Sequence, residues 1–246
     1  MSDRTAARDD PPPAEHTDEG LPIAATVVLV RDGTPGPEVL LVERPKTGSF
    51  PGAWVFPGGR LEPVDGAPAE DEERAARRAA VRETSEETGL AVDPRALVAL
   101  SRWHPPPGIP VRIRTWFFLA PAPRGDLVLA PDEIAAAQWR TPAQALAEHG
   151  RGERTLFPPT WVTLHGLRGH SDARSLLAFA DRRGVELFET RVLAGAGGPV
   201  MLWREDADYG ADAGVAAAAR ADDAGSDGRR HRLRTGALPW VYEREF

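Results

Sequence analysis

"AAVRETSEETGL", residues 79–90, places Glu83, Glu86 and Glu87 three and four positions apart. On an α-helix that spacing puts all three carboxylates on one face, within roughly 100° of arc. Gly89 follows as a helix stop, so Glu86 and Glu87 fall in the last turn. There the negative end of the helix dipole adds to the mutual repulsion of the side chains. Acids stacked against such electrostatics need a compensating positive charge. Carboxylate oxygens are the hard ligands that Mg²⁺ and Mn²⁺ prefer, and such ions share their remaining positions with water and substrate phosphates. The stretch therefore points to a cation site and to metal-assisted hydrolysis of a phosphate-containing substrate.

Working outward, the helix is expected from about Pro68 to Thr88. Pro68 suits the first turn, and Glu70, Asp71 and Glu72 complement the positive end of the dipole. Ala76, Ala79 and Ala80 lie on the carboxylate side, where small residues permit close approach to another backbone. Upstream, "FPGG" (56–59) offers two glycines whose backbone can come close to a ligand or to that alanine face.

The flanks read as an α/β domain. "LPIAATVVLV" (21–30) and "EVLLVER" (38–44) read as two strands of a hairpin around the turn signal "RDGTPGP". Residues 48–68 read as loop, short strand "AWVF", loop. "RALVALSRWH" (95–104) and "VRIRTWFFLA" (111–120) read as strands, the second with Val111, Ile113, Thr115 and Phe117 on one face. "EIAAAQWR" (133–140) reads as a strand. "TPAQALAEHG", "PPTWVTLHGLRGH" and "SDARSLLAFADRRG" read as helices. Residues 1–20 are Pro-rich and acidic and are expected to be a disordered tail. Past 185, "GPVMLWRED" and "HRLRTGALPWVYE" read as strands around a loop, "ADYGADAGVAAAARADDAGSDGRR". The expected organisation is a tail over 1–20, a catalytic domain over 21–185 and a C-terminal β extension over 186–246.

Bulk properties narrow the function. A net charge of −7 lacks the electrostatic footprint of general nucleic-acid binding. The absence of Cys excludes a disulfide framework, a thiolate metal site and a Cys nucleophile. No apolar run approaches the ~18 residues of a membrane-spanning helix, and the N-terminus carries no apolar signal core. A cytoplasmic protein without membrane partners is expected. The six histidines show no metal-ligand spacing, and "GHSDA" is not a G-x-S-x-G elbow. "RRHRLR" (229–234) is read as a strand flank or as a partner for the preceding acids.

The motif "GGRLEP…AAVRETSEETGL" resembles the Nudix box, G-x5-E-x7-R-E-U-x-E-E-x-G-U, with U a bulky apolar residue. Gly59 matches the leading Gly, and Arg82, Glu83, Glu86, Glu87, Gly89 and Leu90 match the second half at the right spacing. Pro57 and Gly58 extend the match upstream. Two positions depart from the pattern. With five residues in between, Asp65 follows Gly59 at the position of the first Glu, and sixteen residues rather than seven separate it from Arg82, so about nine, "GAPAEDEER", interrupt the box. Asp65, Glu62 and Glu73 are the alternatives for the first Glu. Thr84 occupies an apolar position.

The resemblance implies a Nudix-type α/β/α sandwich with a mixed sheet, and Mg²⁺ or Mn²⁺ as cofactor. It implies hydrolysis of a diphosphate bond in a nucleoside diphosphate linked to another moiety. Glu86 and Glu87 would bind the cation, with Glu83 a third ligand or a base and Arg82 orienting Glu86. The Gly58 carbonyl and Glu133, from "APDEIAA", would complete the metal set. Arg82, Glu83 and Glu86 are the catalytic candidates; Arg44, Arg60, Gly58 and Gly59 are the substrate-binding ones, with Lys46 beside them. Trp54, Trp103 and Phe117 are read either as stacking platforms for a base or as core. Within the family, the lengthened box and the "AWVFPGGR" lead are similar to a branch of coenzyme A diphosphatases, peroxisomal ones and bacterial relatives. Their signature needs an Arg where this chain has Gly48. The reading from another class is a Nudix fold retained for nucleotide binding and regulation without catalysis. The C-terminal strands are read as a dimerisation surface or as a lid.

Overall fold

In the computed structural model, residues 18, 20–48, 50–66, 71–195, 197–210 and 228–246 are described. The strands in chain order are β1 (Ile23–Arg31), β2 (Glu38–Glu43), β3 (Trp54–Val55), β4 (Gly58–Arg60), β5 (Val98–His104), β6 (Arg114–Pro121), β7 (Ala136–Arg140), β8 (Glu186–Glu189), β9 (Arg191–Gly195), β10 (Gly198–Leu202), β11 (Arg230–Arg234) and β12 (Val241–Glu245). The helices are α1 (Glu72–Thr88), α2 (Pro142–Gly150), α3 (Pro158–Gly166) and α4 (Ala173–Arg183).

β1 organises the fold. Ala25, Val27 and Leu29 enter one core, while Val28 and Val30 enter another. Alternate side chains thus point to opposite faces, and both faces are covered, so the strand is apolar almost throughout. The main sheet runs β3-β2-β1-β6-β5-β8, with β4 added to β1 and β7 to β2. It is mixed: β1–β6 and β5–β8 are parallel, and β1–β2 is the expected antiparallel hairpin. α1 covers one face. Its Ala75, Ala76, Ala79 and Ala80 are fully buried, and the missing side-chain bulk lets the helix lie close on β1. α2, α3 and α4 supply core residues on the other face. This is an α/β/α sandwich.

A second sheet, β12-β11-β10-β9, is antiparallel throughout. Trp203 and Leu233, fully buried, belong to the same core as α2, α3 and α4. β8 follows residue 185 directly and extends the main sheet beside β5. Arg232 of "RRHRLR" is buried on Asp206 and Asp208, as a partner to the preceding acids.

Several elements differ from the sequence expectation. α1 starts at Glu72, because Asp71 is extended and caps the helix by accepting from the Arg74 amide at 2.9 Å; Pro68 lies outside the described residues. β6 starts at Arg114, leaving Val111 exposed ahead of it. β5 starts at Val98, since Pro94–Ala96 forms a 3₁₀ turn capped by Asp93. "GGR", read as loop, is strand β4. The tail over 1–17 and most of the loop between the C-terminal strands, 211–227, lie outside the described residues. Among the described residues no helix is long and apolar enough to cross a membrane.

Candidate active site

The site grows from the junction of β1, β4 and the end of α1. The Thr26 hydroxyl and the Val27 amide both donate to the Pro57 carbonyl, at 2.6 and 2.9 Å, and fix the "FPGG" turn on β1. Gly58 has φ +150°, and a Cβ there would lie 2.2 Å from the Ala25 carbonyl oxygen. Only glycine fits that approach. Its amide then donates to Glu87 Oε2 at 2.8 Å. Arg44, just past β2, donates from Nη1 to Glu87 Oε1 at 2.9 Å. Glu87 is 1% exposed. Burial pushes its carboxyl up to about 7, even against the Gly58 amide and the Arg44 charge.

Glu83 sits one turn earlier, over Gly59. A Cβ on Gly59 would lie 2.3 Å from the Glu83 carboxylate carbon, so this glycine is the space the carboxylate occupies. Burial raises the Glu83 carboxyl; Arg82 opposes the shift, and Glu86 and Glu133 add to it. Glu133 arrives on the loop between β6 and β7. That loop docks on the end of α1 through Val128 N to Thr88 O, 2.9 Å, and Ala130 N to Glu87 O, 3.2 Å. These amides satisfy helix-end carbonyls that the intrahelical ladder leaves open. Carboxylate oxygens of Glu83, Glu87 and Glu133 come within 4.8 Å of one another.

Arg82 is the hub of the other half. Its Nη2 donates to Asp65 Oδ2 at 2.8 Å and to the Arg60 carbonyl at 3.1 Å. Its Nη1 donates to Glu83 Oε1 at 2.9 Å and to Glu86 Oε2 at 2.8 Å. Asp65 is buried and also accepts from the Glu62 amide at 2.9 Å. Of the three alternatives for the interrupted position, Asp65 is therefore the acid that holds the arginine. Glu62 is exposed, and Glu73 pairs with Arg77 one turn away.

The structure brings Glu83, Glu87 and Glu133 together and leaves Glu86 beside them, its side chain 54% exposed on Arg82. Gly58 meets the cluster through its amide, which donates to Glu87, where a carbonyl ligand was expected. Arg44, expected to meet substrate, donates from Nη1 to Glu87 and keeps its side chain partly exposed. The Arg60 and Lys46 side chains are exposed. Trp54, Trp103 and Phe117 are buried core residues, with Trp103 stacked on Phe188 at 4.0 Å, so none offers a stacking face. Missing from the sequence reading were Arg44 as the partner of Glu87 and the Asp65–Arg82 pair. The nearest signal for Arg44 is a cation at the first position after β2.

Three carboxylates from two elements, one of them almost fully buried, form a hard-oxygen donor set of the kind Mg²⁺ or Mn²⁺ takes. Fold and site together define an α/β/α sandwich with an acidic cation centre at the end of its first helix. The family model for the NUDIX domain matches residues 20–158, more than half of the chain. The chain belongs to the Nudix family. It is similar to the crystal structure of a NUDIX hydrolase from Alicyclobacillus acidocaldarius, at 28% identity and a TM-score of 0.59. That match covers 64% of this chain and 96% of the other. A MutT NUDIX hydrolase from Burkholderia pseudomallei matches at 26% identity and a TM-score of 0.45, over 60% of this chain and 98% of that one. No curated protein matches the chain. The family and the first of these likenesses support its assignment as a Nudix hydrolase.

Proposed function

We propose that the chain hydrolyses a diphosphate bond in a nucleoside diphosphate linked to another group, with Mg²⁺ or Mn²⁺ held by Glu83, Glu87 and Glu133. The observation that carries this reading is the convergence of those three carboxylates beside the Gly58–Glu87 hydrogen bond. A bound cation would supply positive charge against the charge developing on phosphoryl oxygens. The residues of the chain do the positioning. Gly58 and Arg44 hold Glu87 from two sides, and Gly59 leaves room for Glu83. Arg82, steadied by Asp65, orients Glu83 and Glu86, and Glu86 faces the open rim where substrate and water enter. Arg60, exposed next to that rim, meets the substrate phosphates.

Coenzyme A and its esters head the list of substrates to test, because the lengthened box and "AWVFPGGR" resemble that branch; Gly48 counts against them. The assay compares coenzyme A, ADP-ribose, NADH, nucleotide sugars and nucleoside triphosphates with Mg²⁺ and with Mn²⁺. It uses wild type, Glu86→Gln and Glu87→Gln. Turnover of one of these, lost in Glu87→Gln, is expected. Undiminished turnover in both variants would remove the cation-site reading. Tight nucleotide binding without turnover would make the chain a regulator.

A further inference from the structure

Arg78 and Arg82 stand four positions apart on α1, so their side chains lie on one face of the helix, a turn apart. Both reach the short turn Pro63–Asp65, and they take different parts of one residue. Arg82 holds the Asp65 carboxylate, while Arg78 Nε donates to the Asp65 main-chain carbonyl. Among the described residues no other hydrogen bond joins this turn to α1. The turn closes on itself: the Glu62 amide donates to Asp65 Oδ2 and the Asp65 amide to the Glu62 carbonyl, both at 2.9 Å. Those bonds fix its shape but not its place against the helix. Gly66 makes room for the second arginine. Its φ is +96°, and a Cβ there would lie 2.3 Å from Arg78 Nη2, so a side chain would push the guanidinium off the carbonyl. Among the described residues Arg78 makes no hydrogen bond or ion pair with Glu83, Glu86, Glu87 or Glu133. Any effect it has on the carboxylates passes through Asp65.

We propose that Arg78 is a positioning residue for diphosphate hydrolysis: by holding the Asp65 main chain it sets where the Asp65 carboxylate seats Arg82, and so where Arg82 presents Glu83 and Glu86. The inference rests on the hydrolase reading of the site. The Asp65–Arg82 pair alone joins two side chains that each rotate about several bonds, so the turn could slide while the pair stays made. A guanidinium bond to a main-chain carbonyl removes that play, because the carbonyl has no side-chain torsions of its own. Arg82 then meets Glu83 Oε1 at 2.9 Å and Glu86 Oε2 at 2.8 Å from a fixed seat. Misplacing a catalytic group by about 1 Å costs up to about a hundredfold in rate, so the loss of this tether shows in kcat.

The test is a cycle of Arg78→Gln, Asp65→Asn and the double variant, assayed on the diphosphate that wild type turns over. Arg78→Gln should lose about tenfold in kcat with KM within about twofold of wild type. Arg78 is exposed, so the melting temperature of this variant should stay near wild type. Arg78→Lys, which keeps the charge and a donor for the carbonyl, should recover most of the loss. The double variant should be no slower than Asp65→Asn, because two changes along one path do not add. Mn²⁺ affinity, measured by electron paramagnetic resonance, should fall in the same order, as Glu83 loses its place. An active wild type matched in kcat by Arg78→Gln overturns the inference and leaves the hydrolase reading intact. So does a rise in KM at unchanged kcat, which would make Arg78 a substrate contact, and so do losses that add in the double variant. If the double variant does not fold, the lysine decides: Arg78→Lys as slow as Arg78→Gln overturns the inference. A wild type that binds Mn²⁺ but turns over no diphosphate removes the hydrolase reading, and the Mn²⁺ series then judges Arg78 by itself. A wild type that does neither overturns both.

Discussion

Arg82 and Asp65, 17 positions apart in the chain, are joined by two hydrogen bonds, Nη2 to Oδ2 at 2.8 Å and Nε to Oδ1 at 3.2 Å. The pair spans the interruption of the motif and ties the turn after β4 to the catalytic helix. Burial pushes the Asp65 carboxyl up, but the Arg82 contact and the Glu62 amide outweigh it and hold it below its ordinary value. Because Arg82 also touches Glu83 and Glu86, the inserted segment leaves the carboxylates in place only while this pair holds.

Asp65→Asn should therefore cost both stability and rate. The change takes from Arg82 the most buried of the three carboxylates it pairs with, leaving Glu83 and Glu86, at a cost of about 2–4 kcal/mol. Urea unfolding measures the first effect, and kcat the second, since Arg82, the common donor to Glu83 and Glu86, loses the charged anchor that seats it. A variant as stable as wild type would mean that Asp65 contributes no more than any surface acid.

The two glycines of the turn separate chemistry from folding. In Gly59→Ala the new Cβ meets the end of the Glu83 side chain, which can swing aside. The fold should survive with a melting temperature near wild type, while activity falls by at least about tenfold as one ligand leaves the cluster. In Gly58→Ala the Cβ meets backbone, Ala25 O at 2.2 Å and Thr26 Cα at 2.5 Å, at a φ of +150°. That chain should lose about 3 kcal/mol or more, or fail to fold. Equal melting temperatures for the two variants would contradict the packing described for β4.

Acid should weaken the fold through His165. Burial, helped by the Arg168 charge, brings this imidazole down to about 4. It stacks on Trp161 and meets Tyr242 edge-on. An unfolded histidine titrates near 6.5, so between about 6.5 and 4 the unfolded chain binds the extra proton and stability drops as pH falls. The loss should reach about 2 kcal/mol after allowance for partial exposure. Urea unfolding from pH 7.5 to 4.5 should show this slope, flattened in His165→Gln. An unchanged slope would place the titration on other groups.

What could be read from sequence alone follows from how local each signal is. The acidic face of α1 and its glycine stop are periodic features within one helix, so residues 79–90 announce them. β1 and β2 are apolar runs bounded by a turn, and they too are local. Asp65 was undecidable because the interruption destroys the spacing that would have identified it. Arg44 reaches Glu87 across 43 positions, a relation no local pattern encodes. β4 escaped because two glycines carry no strand propensity; its pairing is imposed by β1 and by the space Glu83 needs. Trp54, Trp103 and Phe117 have the same composition signal whether they stack on a ligand or fill a core, and only burial distinguishes the two.

Trp203 tests whether the C-terminal sheet is an accessory or part of the main core. Among the described residues it is the largest fully buried side chain; it donates from Nε1 to the Thr190 hydroxyl at 3.1 Å and packs edge-on against Trp103, Phe188 and Tyr242. Its neighbours belong to β5, β8 and β12, so one indole joins the edge of the main sheet to the second sheet. Trp203→Ala would open a cavity there and remove aromatic contacts, at a cost of about 3–5 kcal/mol. The predicted outcome is one cooperative unfolding transition in wild type, shifted as a whole in the variant, with activity lost in parallel with structure. A sheet that served only as an appendage would give another result: a separate early transition for residues 191–246, and a Trp203→Ala chain whose catalytic half melts as before.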